Sequence, residues 1–243
     1  MPFTLSHPAI VLPLKKISGK TLSLTGLVVG SMVPDFEYFI RMRDQSRYSH
    51  SVPGIFWFDL PLGILLAFIY HQIVRDQFIS NLPEILNRKL SVFKQFDWVG
   101  YFKKNWLIVI VSILIGAASH LLLDSFTHGT GYFVRKISWL GTVIRISKLH
   151  IHIYSLLQHF STLLGGIIVI WAIFSFSDGK LHQSGNKYKY WLSVSLITVV
   201  IFSVRFITSL NIHLYGDVVV SLISAFLLGL ILTPVVIKRS VGH

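Results

Sequence analysis

The sequence contains no cysteine. That absence excludes a disulfide framework and any thiolate-ligated metal centre, so a metal site in this chain must be built from His, Asp, Glu and water. Acidic residues are scarce too: 10 Asp plus Glu stand against 22 Lys plus Arg, and charged residues make up only 13% of the 243. A soluble domain of this size carries about 25% charged residues. With 53% hydrophobic residues and a mean hydropathy of +0.65, the chain reads as an integral membrane protein. A formal charge of +12 would point to nucleic acid in a soluble protein. Here the basic residues lie in the connections between apolar runs, where anionic headgroups account for them, and nucleic-acid binding is rejected. The stretch from Met1 to Pro8 also lacks a basic n-region, so insertion is expected to rely on internal helices.

What is present is a series of long apolar runs, at 21–33, 55–74, 106–128, 156–177, 191–210 and 218–237. Residues 9–14, fenced by Pro8 and Pro13, are too few to cross at about 1.5 Å per residue and read as an interfacial or re-entrant piece. The predicted fold is all-α: a polytopic transmembrane helix bundle of about five spanning helices plus a short N-terminal re-entrant or interfacial segment. Residues 1–243 are expected to form a single integral membrane domain. Gly26 and Gly30 have the spacing that lets a second helix approach closely. Residues 82–96, within the polar connection 75–104, predict a helix lying on the membrane surface. Asp59 either packs against other polar groups or binds something, and Arg205 snorkels or pairs with a neighbour. His150 and His152, two apart, point to different sides of a helix and read as surface residues unless the segment is extended.

The stretch Ser119-His120-Leu121-Leu122-Leu123-Asp124-Ser125-Phe126-Thr127-His128 organises the rest. At 3.6 residues per turn, His120, Asp124 and His128 fall on one stripe and present two imidazoles and a carboxylate together, a ligand set for a divalent metal. Polar groups inside a spanning helix are costly unless they face partners or water. Two further carboxylates, Asp35 and Glu37, follow directly on the run 21–33. If that run crosses, the connections at 15–20, 75–104 and 178–189 and the C-terminal tail share one side. They carry the larger share of Lys and Arg, which predicts the cytoplasmic side. Asp35, Glu37, His50, His120, Asp124, His128 and His159 then all fall at non-cytoplasmic helix ends. His7 joins them only if the first segment re-enters or if 21–33 does not span.

Several motifs together resemble an uncharacterised bacterial integral membrane family, domain-of-unknown-function family 4184. They are Thr4-Leu5-Ser6-His7-Pro8, Val33-Pro34-Asp35-Phe36-Glu37-Tyr38, Ser49-His50-Ser51, the 119–128 stretch and Gln158-His159. More distantly, Asp35, His50, His120, Asp124 and Thr127 resemble elements of the predicted membrane-bound metal-dependent hydrolases of the YdjM type. The chain departs from that pattern at Phe36-Glu37 and before Ser49-His50. The likeness implies a divalent metal, by chemistry Zn²⁺, with His7, Asp35, His50, His120, Asp124 and His128 as candidate ligands. Glu37 is the candidate general base and His159 a proton donor. A site at headgroup depth implies membrane lipids as surroundings and a lipid or lipid-linked ester or phosphoester as substrate, with Arg41, Arg43 and Arg47 placed to attract phosphate. The expected location is the bacterial cytoplasmic (inner) membrane. The rival reading is an ion- or proton-coupled transporter using the same polar cluster.

Overall fold

The computed structural model describes residues 4–19, 21–146, 149–181 and 186–240. Lys20, one of the basic residues weighed above, lies outside them, as do Lys148 and the centre of the 178–189 connection. The chain is 79% helical with almost no sheet. In order it forms α1 (Pro8–Ser18), α2 (Leu24–Met32), α3 (Phe36–Arg41), α4 (Val52–Asn81), α5 (Glu84–Leu90), α6 (Trp98–Thr127) and α7 (Tyr132–Lys136). There follow a hairpin of β1 (Val143–Ile146) and β2 (Leu149–His152), then α8 (Ile153–Phe174), α9 (Lys187–Ser209) and α10 (Tyr215–Ser240).

Five helices among the described residues are long and apolar enough to cross a membrane, built on α4, α6, α8, α9 and α10. The run 21–33 is not one of them. Its helix α2 has nine residues, about 14 Å at 1.5 Å per residue, against a hydrocarbon core of about 30 Å. Without that crossing, the basic residues near 15–20 move to the same face as the histidines. The Lys and Arg residues then divide almost evenly, and their excess no longer distinguishes the two faces. The start of α4, the end of α6 and the start of α8 still share a face by alternation.

Chain contacts divide the molecule into two compact units. The first comprises residues 1–34, 48–64 and 105–172. In it α1 packs on α2, and Lys15 Nζ closes the turn between them by donating to the carbonyls of Gly19 and of Leu22, the latter at 2.7 Å. Helix α2 lies against the middle of α6 in near backbone contact. A Cβ on Gly30 would come within 2.3 Å of the Ile113 carbonyl oxygen, and one on Gly116 within 2.5 Å of that of Leu27. Ser112 Oγ accepts from Ser23 N at 2.8 Å and itself donates to Ile108 O, so this buried hydroxyl at the crossing is satisfied. In α4 the turn Ile55–Asp59 is π-helical and buries Asp59. Pro61 cannot donate to a carbonyl four residues back, and the wider turn accommodates its ring.

After α6, residues 143–146 and 149–152 are extended, the condition left open for His150 and His152, with Val143 opposite His152 and Arg145 opposite His150. The β-branched Val143, Ile144 and Ile151 favour this conformation. Two residues apart on a strand share a face, so His150 and His152 point to the same side. Val134, Leu140 and Ile153 form a small core here, packed by Phe126, Phe133 and Tyr154.

The second unit comprises residues 35–47, 65–104 and 173–243. Helices α9 and α10 pack along their length, and Gly229 admits the Val194 turn of α9. The loop after α3 turns at Met42, whose φ of 51° is left-handed. Its carbonyl accepts from Arg205 Nη2 at 3.2 Å and Ser221 Oγ at 3.0 Å, so Arg205 pairs rather than snorkels. Nearby, Asp44 N donates to Asp217 Oδ1 at 2.8 Å. Arg75 Nη1 bridges the His71 ring and the Phe96 carbonyl, and His71 stacks on Trp98 with centroids 4.6 Å apart. Lys94 Nζ donates to Ser80 Oγ at 2.6 Å, and burial holds its ammonium below the ordinary lysine range.

Candidate metal centre

Helix α6 carries the centre of the site. Its hydroxyls near the site turn back onto the helix, Ser119 to Gly116 O and Thr127 to Leu123 O, while His120 and Asp124 on the helix and His128 just beyond its end form the polar stripe. Asp124 meets both histidines of its own stripe: Oδ2 lies 3.3 Å from His120 Nε2 and Oδ1 lies 3.5 Å from His128 Nδ1. Two histidines from distant parts of the chain complete the ring. His50 Nε2 is 3.6 Å from Asp124 Oδ2, and His7 Nε2 is 3.9 Å from Oδ1. The His7 and His120 rings stack, with centroids 3.7 Å apart and planes 12° from parallel.

These separations are compatible with a site that could hold a metal ion. A charged N–H···O bond spans about 2.7–2.9 Å. Two ligand atoms that each sit about 2.1 Å from a tetrahedral ion stand about 3.4 Å apart. The His–Asp124 distances match the second spacing, and ligand atoms of His50, His120 and Asp124 all lie within 4.8 Å of one another.

The tautomer supports the same reading. His120 is fully buried, and its Nδ1 donates to the Ser31 carbonyl at 2.8 Å. A carbonyl only accepts, so Nδ1 holds a proton, and Nε2 faces the Asp124 carboxylate at 3.3 Å, where a metal cation or a second proton can lie between them. A ring nitrogen fixed by a backbone carbonyl is the usual support of a metal-bound histidine. His50 Nδ1 lies 2.9 Å from Ser49 Oγ, which orients its ring.

Each contributor is positioned by packing. The α2–α6 crossing at Gly30 and Gly116 brings Ser31 to His120. The turn Thr4–Ser6, ahead of α1, is pinned to α8, where Ser6 Oγ donates to Thr162 O at 2.8 Å. A Cβ on Gly165 would meet Ser6 O at 2.7 Å. That pin buries His7 beside His120. No sequence signal identified the Ser31 carbonyl as a participant, because a backbone oxygen leaves no mark on residue type. The Gly26–Gly30 spacing was the one available hint.

Asp35 is buried at the end of the turn Val33–Asp35. Glu37 is buried and held by three donors: Arg41 Nε at 2.7 Å, Arg47 N at 2.9 Å and Ser46 Oγ at 3.0 Å. Its carboxylate anchors the loop that carries these residues. His159 is exposed on α8.

The fold and site together define an all-α protein of membrane-crossing helices with a buried His/Asp cluster that could hold a metal ion. A family model, Domain of unknown function (DUF4184), matches residues 1–235, and the chain belongs to that family. No curated protein and no solved structure matches the chain.

Proposed function

We propose that the cluster is a divalent-metal centre of zinc type. On this proposal the protein is a membrane-embedded hydrolase of a lipid or lipid-linked ester or phosphoester, acting in the bacterial cytoplasmic membrane. The observation that carries the reading is the ligand-edge spacing of His120, His50 and Asp124 around one carboxylate oxygen, at 3.3 and 3.6 Å. His120, His50 and Asp124 would hold the ion, with His7 stacked behind His120 as a further ligand. A bound ion in such a His/carboxylate site lowers the pKa of a coordinated water toward 7 and polarises the scissile bond. Asp124 brings the anionic charge and the Ser31 carbonyl fixes the His120 tautomer. His128, at 27% side-chain exposure against 0% for His120, is the cluster member best placed to pass a proton to a leaving group at the open edge.

Elemental analysis of detergent-purified protein tests the centre, with adventitious ions removed, for wild type, His120→Ala and Asp124→Ala. Near-stoichiometric metal in the wild type and its loss in both folded variants is the expected result. Metal-restored cleavage of fluorogenic lipid phosphoesters then tests the reaction. A folded wild type that binds no divalent ion would overturn the reading in favour of a proton held between His120 and Asp124.

A further inference from the structure

We propose that residues 132–146 and 149–152 form a docking surface for anionic phospholipid headgroups, built onto the last turn of α6, which carries Asp124. The inference deepens the hydrolase reading, on which its purpose rests, by naming the charge class of the substrate.

The surface is defined by what its small core leaves outside. Val134, Leu140 and Ile153 are buried, and Phe133 stacks on Phe126 of α6 with centroids 4.2 Å apart. The segment is thus fixed to α6 two residues beyond Asp124. At its far end Ile153 N donates to Thr142 O, and His152 Nδ1 lies 3.0 Å from Gly141 O. The outward groups are of two kinds. Tyr132 and Trp139 are 59% and 63% exposed, and Arg135, Lys136 and Arg145 are exposed beside them. No Asp or Glu occurs between Asp124 and Asp178, so nothing in this part of the chain neutralises the three cations.

The place of the segment in the chain selects the partner. It joins the end of one membrane-crossing helix, α6, to the start of another, α8, and must therefore lie at a membrane face. Exposed Trp and Tyr beside Arg and Lys at that depth are the groups that settle among headgroups: the rings enter the interface and the cations meet phosphate. A nucleic acid or acidic protein would use the cations but would leave the interfacial aromatics without a role.

The absence of cysteine makes a direct test available. Ser138, exposed in this segment, is changed to Cys and labelled with an environment-sensitive fluorophore in the full-length, detergent-solubilised protein. The protein is titrated with short-chain phosphatidylglycerol, short-chain phosphatidylcholine and inorganic phosphate. The expected result is a saturable response to phosphatidylglycerol that weakens roughly fivefold for each of Arg135→Gln, Lys136→Gln and Arg145→Gln, with metal content unchanged. An equal response to phosphatidylcholine, an equal response to inorganic phosphate, or single variants that bind as the parent would overturn the proposal. The two readings fail separately. A protein without metal that still responds to phosphatidylglycerol keeps the docking surface and loses the hydrolytic centre, and metal without the response does the reverse.

Discussion

Replacing Gly116 by alanine tests whether the α2–α6 crossing sets His120, the proposed metal ligand. The new Cβ would stand 2.5 Å from Leu27 O and 2.6 Å from Ser31 N, where ordinary contact begins at 3.4 Å. The obstacle is backbone on both sides, so no side chain can rotate away and α2 must retreat by about 1 Å. Ser31 moves with it. The bond from His120 Nδ1 to Ser31 O, 2.8 Å at present, would open to about 3.8 Å, beyond hydrogen-bond range. Losing the partner that orients a metal-bound histidine costs roughly 10- to 100-fold in metal affinity. The assay is competition against a chromophoric chelator in detergent. Gly141→Ala serves as the control, since a Cβ there meets nothing within 4 Å. The expected result is a weakened Gly116→Ala protein beside an unchanged Gly141→Ala protein, both monodisperse. Wild-type affinity in a folded Gly116→Ala protein would refute the link between the helix crossing and the ligand.

Gly165→Ala would push the turn Thr4–Ser6 off α8, because its Cβ meets Ser6 O at 2.7 Å. Metal affinity should fall without vanishing, as His7 moves while His50, His120 and Asp124 stay. Ser221→Ala removes a donor that, with Arg205, holds the Met42 carbonyl and should cost about 1 kcal/mol, read as a lower unfolding midpoint in detergent. An unchanged midpoint would refute that anchoring role. Lys94 provides a pH test. Its folded pKa lies below the ordinary value of 10.5, so its charged form is disfavoured in the fold. The resulting destabilisation is full below the folded pKa and fades as pH rises toward the unfolded one. Lys94→Met should therefore flatten the gain in stability between neutral and alkaline pH, and an unaltered pH slope would contradict the assignment.

Helix content, membrane-crossing length and the stripe of His120, Asp124 and His128 were legible from residue order, because they depend on local periodicity: 3.6 residues per turn places i and i+4 together in any straight helix. For 143–146 and 149–152 residue order left helix and strand both open, and only the folded chain shows the two stretches paired antiparallel.

Charge scarcity made Glu37 stand out in the sequence as a candidate base. Only the folded loop revealed that Arg41, Ser46 and Arg47 already occupy its oxygens. His159 carried the same sequence signal as His7, yet one is exposed and the other 1% exposed. The difference lies in which face of α8 receives Ser6 at Gly165. The sequence by itself determined that polar groups would be buried in a membrane-crossing chain and which residue types could ligate there. The tertiary structure alone decided which of them meet, since His7 and His50 reach Asp124 through helix crossings and turns that no local period encodes.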